Sequence, residues 1–433
     1  MSAVRTQGRR AVLVAGARTP FMRSGTVFQD WRSYDLARAA MAGLLSRTGI
    51  DPASVDRLIL GTVISEPRTS NLARETGLAC GLPQSCPAFT VSAACTSSNV
   101  AIMSAIEAIT SGSADIVIAG GAETLSDVPI RYSRPVRKRL IAAQKARGPA
   151  DLLKLARGLK LRDLVPDAPA IAEFSTGLTM GDNAERLAKA LGITREAQDR
   201  LAMASHLRAS EAAARGDLAR MIVPVPVAPT FEPVAADNGI RSDTTLEKLA
   251  RLAPVFDRKF GTVTAGNSSF LTDGAAVVLI TSEEAAASLG LQPLAAFRSS
   301  AFVGLDPVEE LLMGPALAVP AALRAAGLGL GDIDVFEIHE AFASPVLAIQ
   351  KLMQDAEFCR QRLGAEGALG EIPDDKLNAW GGSLSIGHPF GATGARLVMM
   401  AAQRLAASGG RHAVVSACAA GALGHALVLD ALS

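Results

Sequence analysis

The sequence predicts an α/β protein made of two similar halves, and three observations carry that expectation. Short apolar runs of strand length alternate with segments of helical spacing in the first third of the chain. The same order returns in the last third, and between the two lies a basic stretch that breaks the pattern. At 433 residues the chain exceeds one ordinary core, so two or more domain-sized units are expected. Hydrophobic residues make up 49% and charged ones 20%, which excludes a disordered chain. Aromatics reach only 4%, so Ala, Leu, Val and Ile must fill the core.

Ala11 to Ala15 and Leu58 to Ile64 read as buried strands, with a helix over Asp35 to Leu45 between them. The stretch Val91 to Val100 then places Cys95 at the start of an uncharged helix. Ile102, Ile106 and Ile109, at i, i+4 and i+7, mark its buried face. The free N–H groups and positive dipole end of such a helix favour a thiolate at Cys95. Asp115 to Gly121 and Ala275 to Ile280 are further strands. In the last third, strands are expected at Phe297 to Val303, Val335 to Ile338, Ala413 to Ala417 and His425 to Leu429, with helices over Leu311 to Ala326 and Ala392 to Ala407. Asp273 to Leu279 and Gly424 to Leu429 each run from a glycine turn into a closing strand, as two copies of one unit would.

The middle segment has a different character. Between Arg131 and Asp163, eleven Lys or Arg residues face only Asp151 and Asp163, about +9 against +1 for the whole chain. Leu152, Leu155 and Leu159 share one helical face there, flanked by Lys154, Arg157 and Lys160, which suits a membrane surface or a docking partner. The first residues carry Arg5, Arg9 and Arg10, but the apolar run after them is only strand length, so no secretory signal is expected. Residues 413–429 lack charges, yet Ser416, Gly421, Gly424 and His425 interrupt them, so strand, loop and strand are expected rather than a membrane span. Five cysteines without CxxC spacing argue against a disulfide framework or a metal site and for a reducing compartment. A soluble, cytoplasmic protein, at most peripheral to the inner membrane, is the expectation.

Three further stretches carry chemistry. Gly381 to Gly394 packs five glycines around His388, whose main chain is restrained by Gly387 and Pro389, as suits a base held toward a thiol. Glu337 to Ala343 is a strand running into a helix with His339 at the junction, and α/β sheets build sites at the carboxyl ends of strands. Val415 to Gly421 places a second cysteine, Cys418, at a strand end. Two cysteines and two histidines at such junctions form one candidate site.

Val91 to Val100, His339-Glu340-Ala341-Phe342, Gly387 to Gly394 and Cys418 resemble, in order, the four active-site motifs of the thiolase family. Supporting matches at Ala17 to Pro20, Gly120 to Glu123, Met180 to Glu185 and Gly261 to Ser269 extend the resemblance over almost the whole chain. His339, where many members have Asn, and the basic insertion are most similar to the trifunctional-enzyme β-subunit branch and its bacterial counterparts.

The resemblance implies an α/β thiolase fold of duplicated βαβ-type halves in αβαβα layers, with a loop domain inserted in the first. Residues 1–122 and 258–288 would form the first half, 123–257 the insertion and 289–433 the second. It implies a 3-ketoacyl-CoA thiolase of fatty-acid β-oxidation, with coenzyme A as co-substrate and no permanently bound cofactor. Cys95 would be the nucleophile and His388 would accept its proton. His388 and a water held by His339 would stabilise the leaving enolate, and Cys418 would act as acid and then base. The thioester oxyanion would lie between the N–H groups of Cys95 and Ala420. Met180, Arg241 and Ser269 carry over as substrate or CoA contacts. A homodimer or higher oligomer is implied, as is an α-subunit with hydratase and dehydrogenase activities.

Many thiolases follow the second cysteine with a glycine-rich run, whereas here Ala419-Ala420-Gly421-Ala422 follows, and a positive φ at Ala420 would be strained. Rival readings are a biosynthetic acetyl-CoA acetyltransferase, a decarboxylating ketoacyl synthase, a lipid-carrier thiolase and a non-catalytic acyl-CoA- or lipid-binding subunit. Cys418 argues against the synthase, and His339-Glu340-Ala341-Phe342 differs from the His-Asp-Cys-Phe of the lipid-carrier group.

Overall fold

The computed structural model describes residues 2–5, 8–167 and 172–432. Among them, eleven strands join into one sheet. From one edge the order is Val335–Ile338, His412–Ala419, Leu423–Ala431, Ala295–Gly304, Ala11–Arg18, Thr272–Ser282, Ile116–Glu123, Arg57–Gly61 and Ala88–Val91. The halves meet at a short seam, where Ala295 pairs with Leu13 and Ala296 with Val12. Each half has parallel strands closed by an antiparallel one: Thr272–Ser282 against Ile116–Glu123, and Leu423–Ala431 against His412–Ala419. The two glycine-turn stretches that look alike in sequence therefore occupy equivalent closing strands.

Three hydrophobic cores set the layers. The helices Ser97–Thr110 and Thr393–Ser408 share one core with inner faces of both halves, through Ile102, Ile106, Ile109, Leu397, Val398 and Met400. Ser33–Thr48 and Leu72–Ala79 cover the outer face of the first half through Leu36, Met41, Leu44 and Leu72. Gly314–Ala326 and Ala343–Gln354 cover that of the second through Leu317, Leu323, Val346 and Ile349. The stack is αβαβα, with one pair of helices buried at its centre.

Two expected elements differ in extent. The strand expected to reach Ile64 ends at Gly61, because the next residues turn to a buried carboxylate. Thr62 Oγ1, Val63 N and Ile64 N donate to Glu123 at 3.2, 2.9 and 3.0 Å instead of continuing the ladder. The helix expected from Leu311 begins at Gly314, with Pro315 in its first turn. Leu311 and Leu312 pack instead in a small cluster with Cys418.

Residues 413–429 fall in the strands His412–Ala419 and Leu423–Ala431 and the turn between them, and among the described residues no helix is long and apolar enough to cross a membrane. The basic segment forms helices Arg134–Ala143 and Pro149–Ala156. The side chains of Leu152, Lys154 and Leu155 lie outside the described residues. Leu159 is half-buried, while Leu153 and Leu161 are 78% and 87% exposed.

Candidate active site

Cys95 sits on a tight elbow between the edge strand Ala88–Val91 and the central helix Ser97–Thr110. Ala94 has φ 48°, a left-handed backbone that persists only where its surroundings enforce it. The elbow is closed by Thr96 N to Ala93 O at 3.1 Å and Ser97 N to Ala94 O at 3.0 Å, and Ala93 N donates to Ser97 Oγ at 2.9 Å.

His388 enters the site from the other half, on the loop before the second central helix. Two glycines of its motif serve backbone packing between the halves. A Cβ on Gly394 would lie 2.0 Å from Asn99 Oδ1, and one on Gly391 would lie 2.7 Å from Gly61 O. Gly391 N also donates to Glu123 Oε2 at 3.0 Å, so one buried carboxylate ties the turn after Gly61 to this loop. His388 N donates to Thr272 Oγ1 at 3.0 Å, and its Nδ1 lies 2.7 Å from Thr393 Oγ1. His339 follows the strand Val335–Ile338, its N bonded to Ser416 O at 2.8 Å and its Nδ1 2.9 Å from Ser383 Oγ. The Nε2 atoms of both rings are buried without a protein partner.

The four expected side chains converge. A nitrogen from each ring and the Cys95 sulfur lie within 4.8 Å of one another, and the ring centroids are 4.1 Å apart. Cys418, buried near the end of its strand, is close enough to Cys95 for that sulfur to oppose its ionisation. A thiol and two imidazoles are donors that a soft divalent ion accepts, and they are equally suited to passing a proton.

Burial governs the protonation states. It pushes the Cys95 thiol up to about 11, although the N–H groups of Ala420 and of Cys95 itself favour the thiolate. Burial and then the neighbouring Cys95 push Cys418 up to about 12. Burial, then the Arg396 charge, lowers His388 to about 3, and burial, His388 and Arg396 hold His339 well below the usual imidazole range. The resting site therefore holds two thiols and two neutral imidazoles. The thiolate expected from the helix dipole is not the resting form, because desolvation at the half-buried Cys95 outweighs the N–H groups that favour the anion.

The other expected residues are distributed around this centre. Ala420 lies outside the left-handed region; the positive φ values fall on Gly421 (81°) and Ala422 (57°), so the Ala420 N–H serves without strain at that residue. Met180 packs in the cluster that contains Cys418 and Phe342. Ser269 N donates to Ala341 O at 2.9 Å, which seats it beside the His339 motif. Arg241 stands apart from the centre: it is exposed, and its N–H bonds to His206 Nδ1 at 3.2 Å. Arg23, which the sequence reading passed over, has its pKa lowered by burial and then by the nearby Arg241, and its guanidinium lies 4.1 Å from the Phe270 ring centroid. Ser383, Thr393, Arg396 and Glu123 were also missed as site residues. Three of them lie within or just after the glycine-rich motif, where spacing drew attention to the glycines and His388.

The thiolase N-terminal domain pattern matches residues 11–284 and the thiolase C-terminal domain pattern matches residues 291–431. The chain belongs to the thiolase family. It is 49% identical over 423 residues to the mitochondrial trifunctional enzyme subunit beta of Bos taurus, covering 98% of this chain and 88% of that protein. It is 45% identical over 427 residues to a 3-ketoacyl-CoA thiolase of Serratia proteamaculans, covering 99% and 98%. The crystal structure of human mitochondrial 3-ketoacyl-CoA thiolase in complex with CoA superposes with a TM-score of 0.83 at 32% identity, over 98% of each chain. This thiolase is accordingly an acyltransferase that uses coenzyme A as co-substrate. The cytoplasmic placement expected from the sequence is corrected by its relatives, whose trifunctional enzyme β-subunits are mitochondrial. The cysteine pattern behind that expectation bears on redox chemistry and does not distinguish one compartment from another.

Proposed function

We propose that this thiolase cleaves 3-ketoacyl-CoA with coenzyme A to acetyl-CoA and a shortened acyl-CoA, in the manner of the β-subunit of a trifunctional enzyme. The carrying observation is the convergence of Cys95, His339 and His388 within 4.8 Å, with Cys418 beside them. As Cys95 Sγ attacks the 3-keto carbon, its proton passes to His388 Nε2. The bond between C2 and C3 then breaks, and the electron pair becomes an acetyl-CoA enolate whose oxygen is held by His388 and a water on His339. Cys418, a firm thiol at neutral pH, protonates the enolate carbon. The thiolate left on Cys418 then deprotonates CoA, whose sulfur displaces the acyl group from Cys95. The N–H groups of Cys95 and Ala420, which both favour negative charge at the sulfur, suit the thioester oxyanion.

Met180 and Ser269 would line the acyl and pantetheine path, and Arg241, with Arg23 beside it, would attract the CoA phosphates. Residues 123–257 are read as the inserted unit. The strand Ala88–Val91 ends the sheet and carries an exposed Phe89, which supports pairing with a second copy. Exposed Ile141, Leu153, Leu161 and Leu164 among the basic residues of 131–163 support contact with an anionic membrane or a hydratase/dehydrogenase α-subunit. The direct test is CoA-dependent loss of 3-ketoacyl-CoA of graded chain length with purified protein. No turnover at any length, with or without a candidate α-subunit, sinks the reading.

A further inference from the structure

The two histidines of the site are held by different hydroxyl partners, and those partners differ in what they accept. Arg396 Nη2 donates to Ser383 Oγ at 2.8 Å, and a guanidinium has no lone pair with which to accept in return. Ser383 is fully buried and has one proton to place. Among the described residues its one acceptor is His339 Nδ1, at 2.9 Å. Nδ1 of His339 is therefore the bare nitrogen, and the neutral ring carries its proton on Nε2, the atom that faces the site without a protein partner.

His388 is arranged the other way. Its partner Thr393 Oγ1 has an acceptor of its own, Pro389 O at 3.0 Å, so it is free to receive Nδ1–H from His388 at 2.7 Å. That leaves the lone pair of His388 on Nε2.

We propose that Ser383 and Arg396 are positioning residues that lock His339 in its Nε2–H tautomer, so that two adjacent imidazoles present opposite faces to the substrate: a donor from His339 and an acceptor from His388. The assignment deepens the thiolase reading and rests on it for its consequence in turnover. Burial lowers Arg396 to about 10, so it remains a cation at neutral pH, with Glu337 Oε2 4.0 Å away. A fixed cation behind Ser383 keeps the hydroxyl proton directed at His339 throughout the reaction. The same lock decides what the trio of Cys95, His339 and His388 does not do: a metal ion would need a lone pair on both Nε2 atoms, and His339 does not offer one.

The test uses the full-length protein labelled with 15N-histidine. The chain has five histidines, and His339→Gln identifies the His339 signals by their loss. Solid-state 15N spectra of the native protein are expected to give an unprotonated Nδ1 and a protonated Nε2 for His339. Ser383→Ala is expected to move part of the proton to Nδ1 and to lower kcat by about 10- to 100-fold, as loss of a charge-stabilising donor does. KM should stay within about twofold, since the donor acts in the transition state. Ser383→Thr, which keeps the hydroxyl, restores both spectrum and kcat. A protonated Nδ1 in the native protein overturns the proposal even if no variant folds. So does Ser383→Ala with full kcat, or with reduced kcat and an unchanged His339 spectrum. If native protein cleaves no 3-ketoacyl-CoA, the substrate reading fails, while the spectrum still decides the tautomer.

Discussion

The Ala420 N–H, from the second half, favours the thiolate of Cys95, from the first, and even so burial keeps that sulfur a thiol, at about 11. A Cys–His pair of the ion-pair type reacts with alkylating agents at a rate that has levelled off by neutral pH. Here the iodoacetamide rate at Cys95, followed by mass spectrometry, is expected to rise roughly tenfold per pH unit through neutrality, because the reactive thiolate fraction grows with pH below the pKa. A rate that is flat above about pH 7 would mean a resting thiolate and would reverse the protonation states assigned here.

Cys418 is a buried thiol and Cys95 a half-buried one, and both serve the same reaction, so adduct formation separates their roles better than activity does. With 3-ketoacyl-CoA and no free CoA, Cys95→Ala is expected to show no acyl adduct by intact mass. Cys418→Ala should still form one, slowly, since it keeps the nucleophile and lacks the acid that protonates the leaving carbon. An adduct mapped to Cys418 would exchange the two roles.

Gly394 is where the first turns of the two central helices touch. Gly394→Ala sets a methyl 2.0 Å from Asn99 Oδ1 and 2.8 Å from Ser98 Oγ. Overpacking of this kind costs about 1–3 kcal/mol. Urea denaturation should show a lower midpoint, and kcat should fall further than stability does, because the same turns carry Cys95 and His388. An unchanged midpoint with full activity would mean that the helices separate freely.

The basic segment is tested by co-sedimentation with anionic phospholipid vesicles. The whole chain is expected to pellet at low salt and to be released as salt rises. A variant lacking residues 131–163 should stay in the supernatant. Equal pelleting of both proteins removes the membrane role.

What the sequence disclosed, and what it hid, follow from the range of the interactions. Cys95, His339, His388 and Cys418 were legible because each is a reactive residue type at the end of a strand or the start of a helix, and those junctions are marked by local pattern. Ser383 and Arg396 were not, since their role appears only once His339, 44 residues from Ser383, is in contact with the hydroxyl. Val63 and Ile64 read as strand because β-branched residues look alike whether their N–H groups meet a ladder or the Glu123 carboxylate. The protonation state of Cys95 was misread for a similar reason: a helix start is visible in sequence, whereas the desolvation that overrides it belongs to the assembled core.

The central helices, Ser97–Thr110 and Thr393–Ser408, belong to equivalent places in the duplicated halves and meet at their first turns, with Cys95 just before one and His388 just before the other. Duplication of a single helix-bearing unit thereby aims two positive dipole ends at one small volume. Each turnover passes negative charge through that volume three times: as the alkoxide formed when Cys95 attacks the 3-keto carbon, as the enolate, and as the oxyanion formed when CoA attacks the thioester. The polypeptide backbone supplies a standing electrostatic field there that no side-chain substitution can remove.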